Sequence, residues 1–505
     1  MKTAFRVDAS TTIGIGHLRR CLALAQALSA LGAQIAFVTR DLGFDSAAEI
    51  VAFGYLALTL RSPPMHAALQ TQDAPSHAHW AGVSQVVDAD ETSALLTAWR
   101  PDWVVVDHYA FDAGWHATVA TATGARICVI DDLADRALNA DVLVDHNHAP
   151  DHRAKYGLHA AGIARLLGGP RFALLGPAYA EAGAHVLRDR VDSIGIFMGG
   201  TDPWQASALA LNACREVAAF GGVVQVATTH ANPHLEALAA LCRRWPQTEL
   251  LIDEPNLAAF FVRHDLQIGA GGGASWERCC VGAPTLALAM AKNQQPVVAA
   301  LAAEGAVEPV EFVSIDTVGR AVARLVDDPA KRRQLSERSR RLVGALGATR
   351  VALALFADRI ELRLAAMSDA RLTHAWRNDL RTRRYFHNPA EVALDVHLAW
   401  WDHTLADSAR RLLIARCAGR DIGTVRLDIE GTEAEVSIYL DPQLTGLGLG
   451  TGLLHAAQRW LHQQEPEVAR LIAEIHPDNL ASATAFRAAA FEYAGGHRWA
   501  WEKRR

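Results

Sequence analysis

The sequence predicts two consecutive doubly wound α/β domains followed by a smaller α+β domain. Three observations carry this. From residue 3 to about 355, short β-branched apolar runs alternate with amphipathic helical stretches, the pattern of parallel sheets covered on both faces. The pattern restarts near residue 190, after the segment 167–182 with its two Gly-Pro pairs, Gly169-Pro170 and Gly176-Pro177. Beyond about 360 the strands follow one another closely, with hairpin-like turns between them. A length of 505 residues accommodates about three domains, placed here at 1–170, 171–358 and 359–505.

The elements read in order. A first strand ends near Val7, and strands follow at 34–39, 103–107, 126–130 and 142–144. After the connection come 193–197, 223–227, 266–269 and 285–289, with helices such as 18–31 and 206–219 between strands. The last domain reads as strand 361–365, helix 369–382, strands 409–416, 421–429 and 434–440, helix 453–463, strand 471–475 and helix 481–489.

Composition narrows the function classes. A net charge of −6 gives no electrostatic footprint for nucleic acid or an anionic membrane, so small molecules are the expected partners. The seven cysteines form no CxxC pair, which argues against a disulfide framework or zinc ribbon and predicts a reduced, cytoplasmic setting. No apolar run reaches about 20 residues, so no spanning helix is expected.

The first strand runs into Ile13-Gly14-Ile15-Gly16-His17-Leu18-Arg19-Arg20-Cys21. Gly14 and Gly16 permit a tight turn, and His17 lies at the mouth of a helix whose N-terminus offers free N–H groups. Such a turn is either a simple helix cap or the mount for a general base. Asp107-His108-Tyr109 follows another strand, where Asp can also cap the next helix. Met198-Gly199-Gly200-Thr201-Asp202-Pro203 and Gly271-Gly272-Gly273-Ala274-Ser275-Trp276-Glu277 are strand ends opening into glycine turns, suited to phosphate. Glu277, one turn into the following helix, is placed to accept hydrogen bonds from ribose hydroxyls. Asn293 and Gln294 begin the loop after the next strand, as sugar ligands or as ordinary loop amides. Asp131, Asp132, His146 and His148 read as cap and loop residues rather than as metal ligands.

These residues, with Arg6-Val7-Asp8-Ala9-Ser10, Ile130-Asp131-Asp132-Leu133-Ala134-Asp135-Arg136 and Arg278-Cys279-Cys280, resemble the UDP-2,4-diacetamido-2,4,6-trideoxy-β-L-altropyranose hydrolases of pseudaminic acid biosynthesis. The resemblance covers about residues 1–355. It implies two Rossmann-like domains in a GT-B arrangement, and inverting, metal-free displacement of UDP by water. It also implies His17 as base, with Tyr109 and Asn293 orienting water and sugar. The implied UDP-sugar ligands are Gly14, Gly16, Arg20, Asp107, Gly200, Gly272, Gly273, Ser275, Glu277 and Gln294. Gly176 departs from the pattern, where an Arg is expected.

In the last domain, Ile438-Tyr439-Leu440-Asp441-Pro442 leads to Thr445-Gly446-Leu447-Gly448-Leu449-Gly450-Thr451-Gly452, a second pyrophosphate-type loop or a simple turn. Together with His476-Pro477-Asp478-Asn479, Ser482, Phe486 and Phe491, it resembles the GNAT acyl-CoA N-acyltransferases over about 361–505. Trp376-Arg377-Asn378-Asp379, His397 and Trp400-Trp401 are similar to the subset acting on nucleotide-linked amino sugars. The resemblance implies acetyl-CoA as co-substrate, held by Ile438, Leu440, Leu447, Gly448, Leu449, Gly450, Thr451, Gly452 and Asn479. It implies Glu435 as general base, and a solvated strand carboxylate is the plainer reading of that residue. Thr445 stands where Arg or Gln is usual. Phe486 replaces the Tyr that often protonates the leaving thiolate, leaving Tyr439, Tyr493 or water for that role.

Overall fold

Seven parallel strands build the first sheet of the computed structural model, which describes residues 1–10, 12–63 and 75–503 and omits the side chain of Asn293. The strands are β1 (Lys2–Val7), β2 (Gln34–Arg40), β3 (Leu56–Leu60), β4 (Trp103–Asp107), β5 (Arg126–Ile130), β6 (Asn139–Asp145) and β7 (Gly162–Gly168). Their order is β3-β2-β1-β4-β5-β6-β7, so the winding reverses between β1 and β4. The six-stranded second sheet contains β8 (Ser193–Phe197), β9 (Val223–Thr228), β10 (Thr248–Ile252), β11 (Leu266–Ala270), β12 (Thr285–Leu288) and β13 (Glu308–Val310). Its order β10-β9-β8-β11-β12-β13 reverses between β8 and β11. Central strands such as β4 and β11 are buried along their whole length, because helices cover both faces.

By internal contacts the chain divides into Met1–Thr349, holding both parallel sheets, and Arg350–Arg505. Residues 350–358, read from sequence as the end of the second domain, thus group with the third sheet. That sheet has seven strands: β14 (Ile360–Leu364), β15 (Arg410–Cys417), β16 (Arg420–Glu430), β17 (Glu433–Leu440), β18 (Arg470–Glu474), β19 (Glu492–Gly495) and β20 (Arg498–Glu502). Their order is β14-β15-β16-β17-β18-β20-β19, antiparallel except for the parallel pair β17–β18. Among the described residues, no helix is long and apolar enough to cross a membrane.

Several expectations need correction. Strands β3, β7, β10 and β13 went unread; each is a sheet edge, partly exposed and therefore less uniformly apolar. Residues 167 and 168 close β7 and do not belong to the connection. The helix expected at 206–219 is α-helical only over Ala206–Asn212 and widens into a π turn over Ala213–Val217. The helix expected from 453 begins four residues earlier, as Leu449–Gln464, and helix Leu394–Ala406 was not anticipated.

Candidate active sites at the sheet switch points and the splayed strand pair

In open α/β sheets, ligands bind beyond the carboxyl ends of the strands where the winding reverses. His17 follows β1, and Asp107 ends β4, the two strands that flank the first reversal. The turn that carries His17 is closed by the Gly14 N–H donating to the Ser10 carbonyl at 2.7 Å, with Gly14 at φ +78°. Helix Gly16–Ala30 then has no side-chain cap.

His17 Nδ1 lies 2.6 Å from Asp107 Oδ1. Arg20, one turn along the same helix, clamps that carboxylate with Nε at 2.5 Å from Oδ2 and Nη2 at 2.6 Å from Oδ1. Burial works to raise the Asp107 pKa, but Arg20 and then His17 outweigh it and hold the carboxyl well below its usual range. A fixed carboxylate on Nδ1 selects the tautomer with its proton there, leaving the Nε2 lone pair as a base. Asp107 and Arg20, expected as substrate ligands, are instead engaged with His17 and with each other. The side chain of Asp107 is fully buried.

Tyr109 packs edge-on against His17, centroids 4.7 Å apart, and donates its hydroxyl to Asp132. Asp132 also accepts from Asn147 Nδ2 at 3.2 Å and faces Arg20 at 3.5 Å. The ring of Trp80 lies 6.0 Å from His17 and 5.5 Å from Tyr109, and His77 packs on both Trp80 and Tyr109. Trp80, His77 and Asn147 escaped the sequence reading because no local motif marks them. Asp131 pairs with Arg136 at 2.8 Å and His148 with Glu304 at 2.9 Å. Burial, followed by Arg20, pulls His146 down to about 4.

Behind this cluster, Arg6 bridges Asp8 and Asp88 with contacts of 2.5 to 3.0 Å, and Arg40 reaches Asp88 and Glu91 at 2.8 Å each. Arg6, Asp8, Asp88 and Arg40 are all essentially inaccessible, so each charge is matched inside the protein.

At the second reversal, Gly199 and Gly200 follow β8, and the turn 271–273 follows β11 into helix Ala274–Val281. A Cβ on Gly271 would stand 2.3 Å from Val298 Cγ2, so only glycine fits there. Gly271 N–H donates to Leu288 O, Ser275 N–H to Gly272 O and Trp276 N–H to Gly273 O. Among the described residues, the amides of Gly272, Gly273 and Ala274 have no such partner. This is the donor set an anion takes at a helix start.

Glu277 receives a hydrogen bond from the Tyr179 hydroxyl, while its Oε2 is buried without a partner among the described residues. Burial pushes its carboxyl above the usual range, against the pull of Tyr179 and Arg278. The Ser275 side chain is buried and donates to the Ala270 carbonyl. Gln294 Oε1 accepts from Met290 N–H at 3.0 Å, and its Nε2 lies beside Gly272. The side chain of Asn293 lies outside the described residues. At Gly176 an added Cβ would meet only Gln26 Oε1 at 3.5 Å, so the missing Arg is not excluded by space.

In the last unit, β17 pairs with β18 only at Glu433, Ala434 and Glu435. Beyond Glu435 the two strands separate, and residues 436–440, including Ile438 and Leu440, keep ladder partners only on β16. A splayed parallel pair leaves one edge of β17 open to an extended amide-bearing ligand. At the strand's end Gly446 and Gly448 have φ of +78° and +75°, and Gly448 precedes Leu449–Gln464 without a side-chain cap. The first amides of that helix, at Leu449, Gly450 and Thr451, have no carbonyl partner within it.

Four residues expected at the CoA site have structural roles of their own. The side chains of Leu447 and Leu449 are fully buried. Gly452 is dictated by packing, since a Cβ would lie 2.1 Å from the Ala357 carbonyl. Asn479 caps helix Leu480–Ala488 through Ser482 N–H at 3.1 Å.

Glu435 is exposed at the apex of the splay, in a groove of about 420 Å³ shared with Asp428, Glu433 and Glu474. Tyr439, on the same face of β17, is half-buried and bonded to Thr424 and Thr373. Phe486 is buried against Phe491, and Tyr493 is exposed on the edge strand.

Two parallel α/β sheets with polar clusters at both reversals, together with a mixed sheet that splays beside a glycine turn, define a nucleotide-sugar-type enzyme with an acetyltransferase-type domain. Comparison with known proteins agrees. Residues 359–492 match the family model of the acetyltransferase (GNAT) domain. The chain is 25% identical over 238 residues to spore coat polysaccharide biosynthesis protein SpsG of Bacillus subtilis, covering 46% of this chain and 70% of SpsG. It is 24% identical over 305 residues to the UDP-2,4-diacetamido-2,4,6-trideoxy-beta-L-altropyranose hydrolase of Campylobacter jejuni, covering 60% of this chain and 97% of that protein. Among solved structures, MurG of Acinetobacter baumannii aligns over 70% of this chain and 98% of its own, with 14% identity and a TM-score of 0.49. The chain thus joins an N-terminal part similar to the UDP-sugar hydrolase to a C-terminal part that matches the GNAT domain model.

Proposed function

We propose that the protein is bifunctional. Residues 1–349 hydrolyse UDP-2,4-diacetamido-2,4,6-trideoxy-β-L-altropyranose with inversion, and the GNAT domain acetylates its 4-amino precursor from acetyl-CoA. The observation that carries the hydrolase is the 2.6 Å contact of His17 Nδ1 with a buried carboxylate, which leaves Nε2 free to accept a proton. Water attacks the anomeric carbon opposite UDP while His17 Nε2 takes its proton. The C–O bond to UDP breaks, and the departing diphosphate is stabilised by the amides of Gly272, Gly273 and Ala274. The unpartnered Glu277 Oε2 suits a ribose hydroxyl, and Trp80 and Tyr109 wall the sugar. Asn293 is assigned to the sugar on the family resemblance. No step calls for a metal, and the setting is cytoplasmic.

In the acetyltransferase, pantetheine lies along the open edge of 438–440 and the CoA pyrophosphate lies on the amides of Leu449, Gly450 and Thr451. Glu435 deprotonates the substrate ammonium. Tyr439 or water returns a proton to the thiolate. The buried phenyl ring of Phe486 favours a second reading of this domain as a CoA-binding module without turnover.

The test is mass spectrometry over time of the 4-amino UDP-sugar with acetyl-CoA and the intact chain. Acetylated UDP-sugar appearing first, followed by free sugar and UDP without an acceptor, supports both activities. UDP release that requires an acceptor refutes the hydrolase in favour of a glycosyltransferase. Absence of free CoA refutes the acetyltransferase.

A further inference from the structure

Four arginines are among the largest fully buried side chains: Arg6, Arg40, Arg278 and Arg332. Three hold carboxylates or several carbonyls, although Arg40 Nε too is buried without a partner among the described residues. Arg6 meets Asp8 and Asp88, Arg40 meets Asp88 and Glu91, and Arg332 donates to the carbonyls of Leu325, Val326, Arg188 and Asp189. Arg278 is different. Its Nη2 donates to the Ala270 carbonyl at 2.8 Å and to Ser275 Oγ at 3.3 Å, while Nε and Nη1 are buried without a partner among the described residues. No carboxylate lies within ion-pair distance of it among those residues. The Phe261 ring, 5.8 Å away, adds a weak contact. Burial pulls Arg278 down to about 10, so it remains charged at neutral pH.

Its position explains why such a charge is tolerated. Arg278 is the fifth residue of helix Ala274–Val281, and its side chain runs back toward the helix start. The guanidinium lies immediately beneath the glycine turn. A Cβ on Gly269 would stand 2.3 Å from Nη1, so Gly269 is the residue that makes room for it. A buried, under-compensated cation costs stability unless an opposite charge arrives. The nearest place where one can arrive is the set of free amides at 272–274.

We propose that Arg278 is the buried positive pole of this turn. Its charge, acting through the backbone of residues 270–274, makes the site select a nucleoside diphosphate over the uncharged nucleoside. This rests on the reading of the turn as the UDP site. Arg278 is a positioning residue, since backbone separates it from the ligand. Its charge acts at short range through protein rather than water, so its removal weakens binding of a diphosphate about ten- to a hundredfold.

Calorimetric titration of the full chain with UDP and with uridine tests this, comparing the natural protein with Arg278→Met and Arg278→Lys. Wild type is expected to bind UDP much more tightly than uridine. Arg278→Met loses UDP affinity by that factor and keeps its uridine affinity, and Arg278→Lys restores most of the loss. In the absence of ligand, Arg278→Met melts at or above the wild-type temperature, and its stabilisation by UDP shrinks. Should it fail to fold, Arg278→Gln, able to keep a bond to the Ala270 carbonyl, is expected to show the same selective loss. Equal loss of UDP and uridine, or a lower melting temperature with UDP selectivity intact, assigns Arg278 a purely structural role and overturns the proposal. So does unchanged UDP affinity in the variant. Failure of the wild-type protein to bind UDP overturns the UDP-site reading itself, and this proposal with it.

Discussion

Replacing Asp107 with Asn tests the reasoning about His17 most directly. The substitution keeps shape and volume but removes the charge that both His17 and Arg20 use. In the native cluster, Asp107 Oδ1 faces His17 Nδ1 at 2.6 Å while Arg20 holds both oxygens at 2.5 and 2.6 Å. An Asn can offer only one oxygen, and Arg20 with two donors claims it. The amide NH2 then faces His17 and turns Nδ1 into an acceptor. This moves the imidazole proton to Nε2, so the ring can no longer accept a proton from water. Where the same exchange leaves a catalytic triad's geometry intact, the rate falls about 10⁴-fold. Here UDP release is expected to fall roughly 10²- to 10⁴-fold with a smaller change in KM.

Arg20 keeps Asp132 at 3.5 Å, so its charge is not stranded. The stability cost should therefore stay below the ~3–5 kcal/mol of a broken buried pair. The assay is continuous detection of UDP from the diacetamido UDP-sugar, with acetyl transfer and thermal melting as controls. Asp107→Asn combined with His17→Ala should be no slower than His17→Ala alone, because the two act as a unit. A folded Asp107→Asn protein that releases UDP within a fewfold of wild type would refute the tautomer argument. So would full additivity of the two substitutions.

Four further outcomes are expected. Glu277→Ala should weaken UDP binding roughly 10- to 100-fold, as expected for loss of charge-assisted hydrogen bonds, and abolish discrimination between UDP and its deoxyribose analogue in calorimetry. Asp88→Ala should destabilise the first sheet in urea unfolding by less than the ~3–5 kcal/mol of a fully broken buried pair, because Arg6 keeps Asp8 and Arg40 keeps Glu91. Burial acts to raise Asp8 and Asp88, but Arg6 outweighs it and their pKa values are lowered from 3.8. Their stabilisation is therefore complete above the unfolded-state pKa and is lost as pH falls through the lower folded values, with circular dichroism expected to show acid unfolding below about pH 4. Gly448→Ala, at φ +75°, should cost about 1–2 kcal/mol of local strain and weaken CoA binding while UDP release is unchanged.

Much of this protein was legible because its key segments are local. A strand, a glycine turn and a helix start lie within about fifteen residues, so Gly14, His17, residues 271–277 and 446–452 announce themselves in the sequence. The central strands were equally plain, since burial on both faces makes them continuously apolar. Edge strands such as β3 and β13 were not, because partial exposure dilutes that signal.

The partnerships were beyond the sequence. That Asp107 meets His17, across 90 residues of chain, follows from β1 and β4 being neighbours at the winding reversal. That Ser275 turns inward, that Gly452 answers to Ala357, and that Glu435 is the last paired residue before β17 and β18 part are likewise consequences of packing and register. Residue types and spacing determined which chemistries this chain can carry. Tertiary contacts decided which groups act and which merely hold them, because hydrogen-bond capacity is settled only when every buried donor and acceptor has found its neighbour.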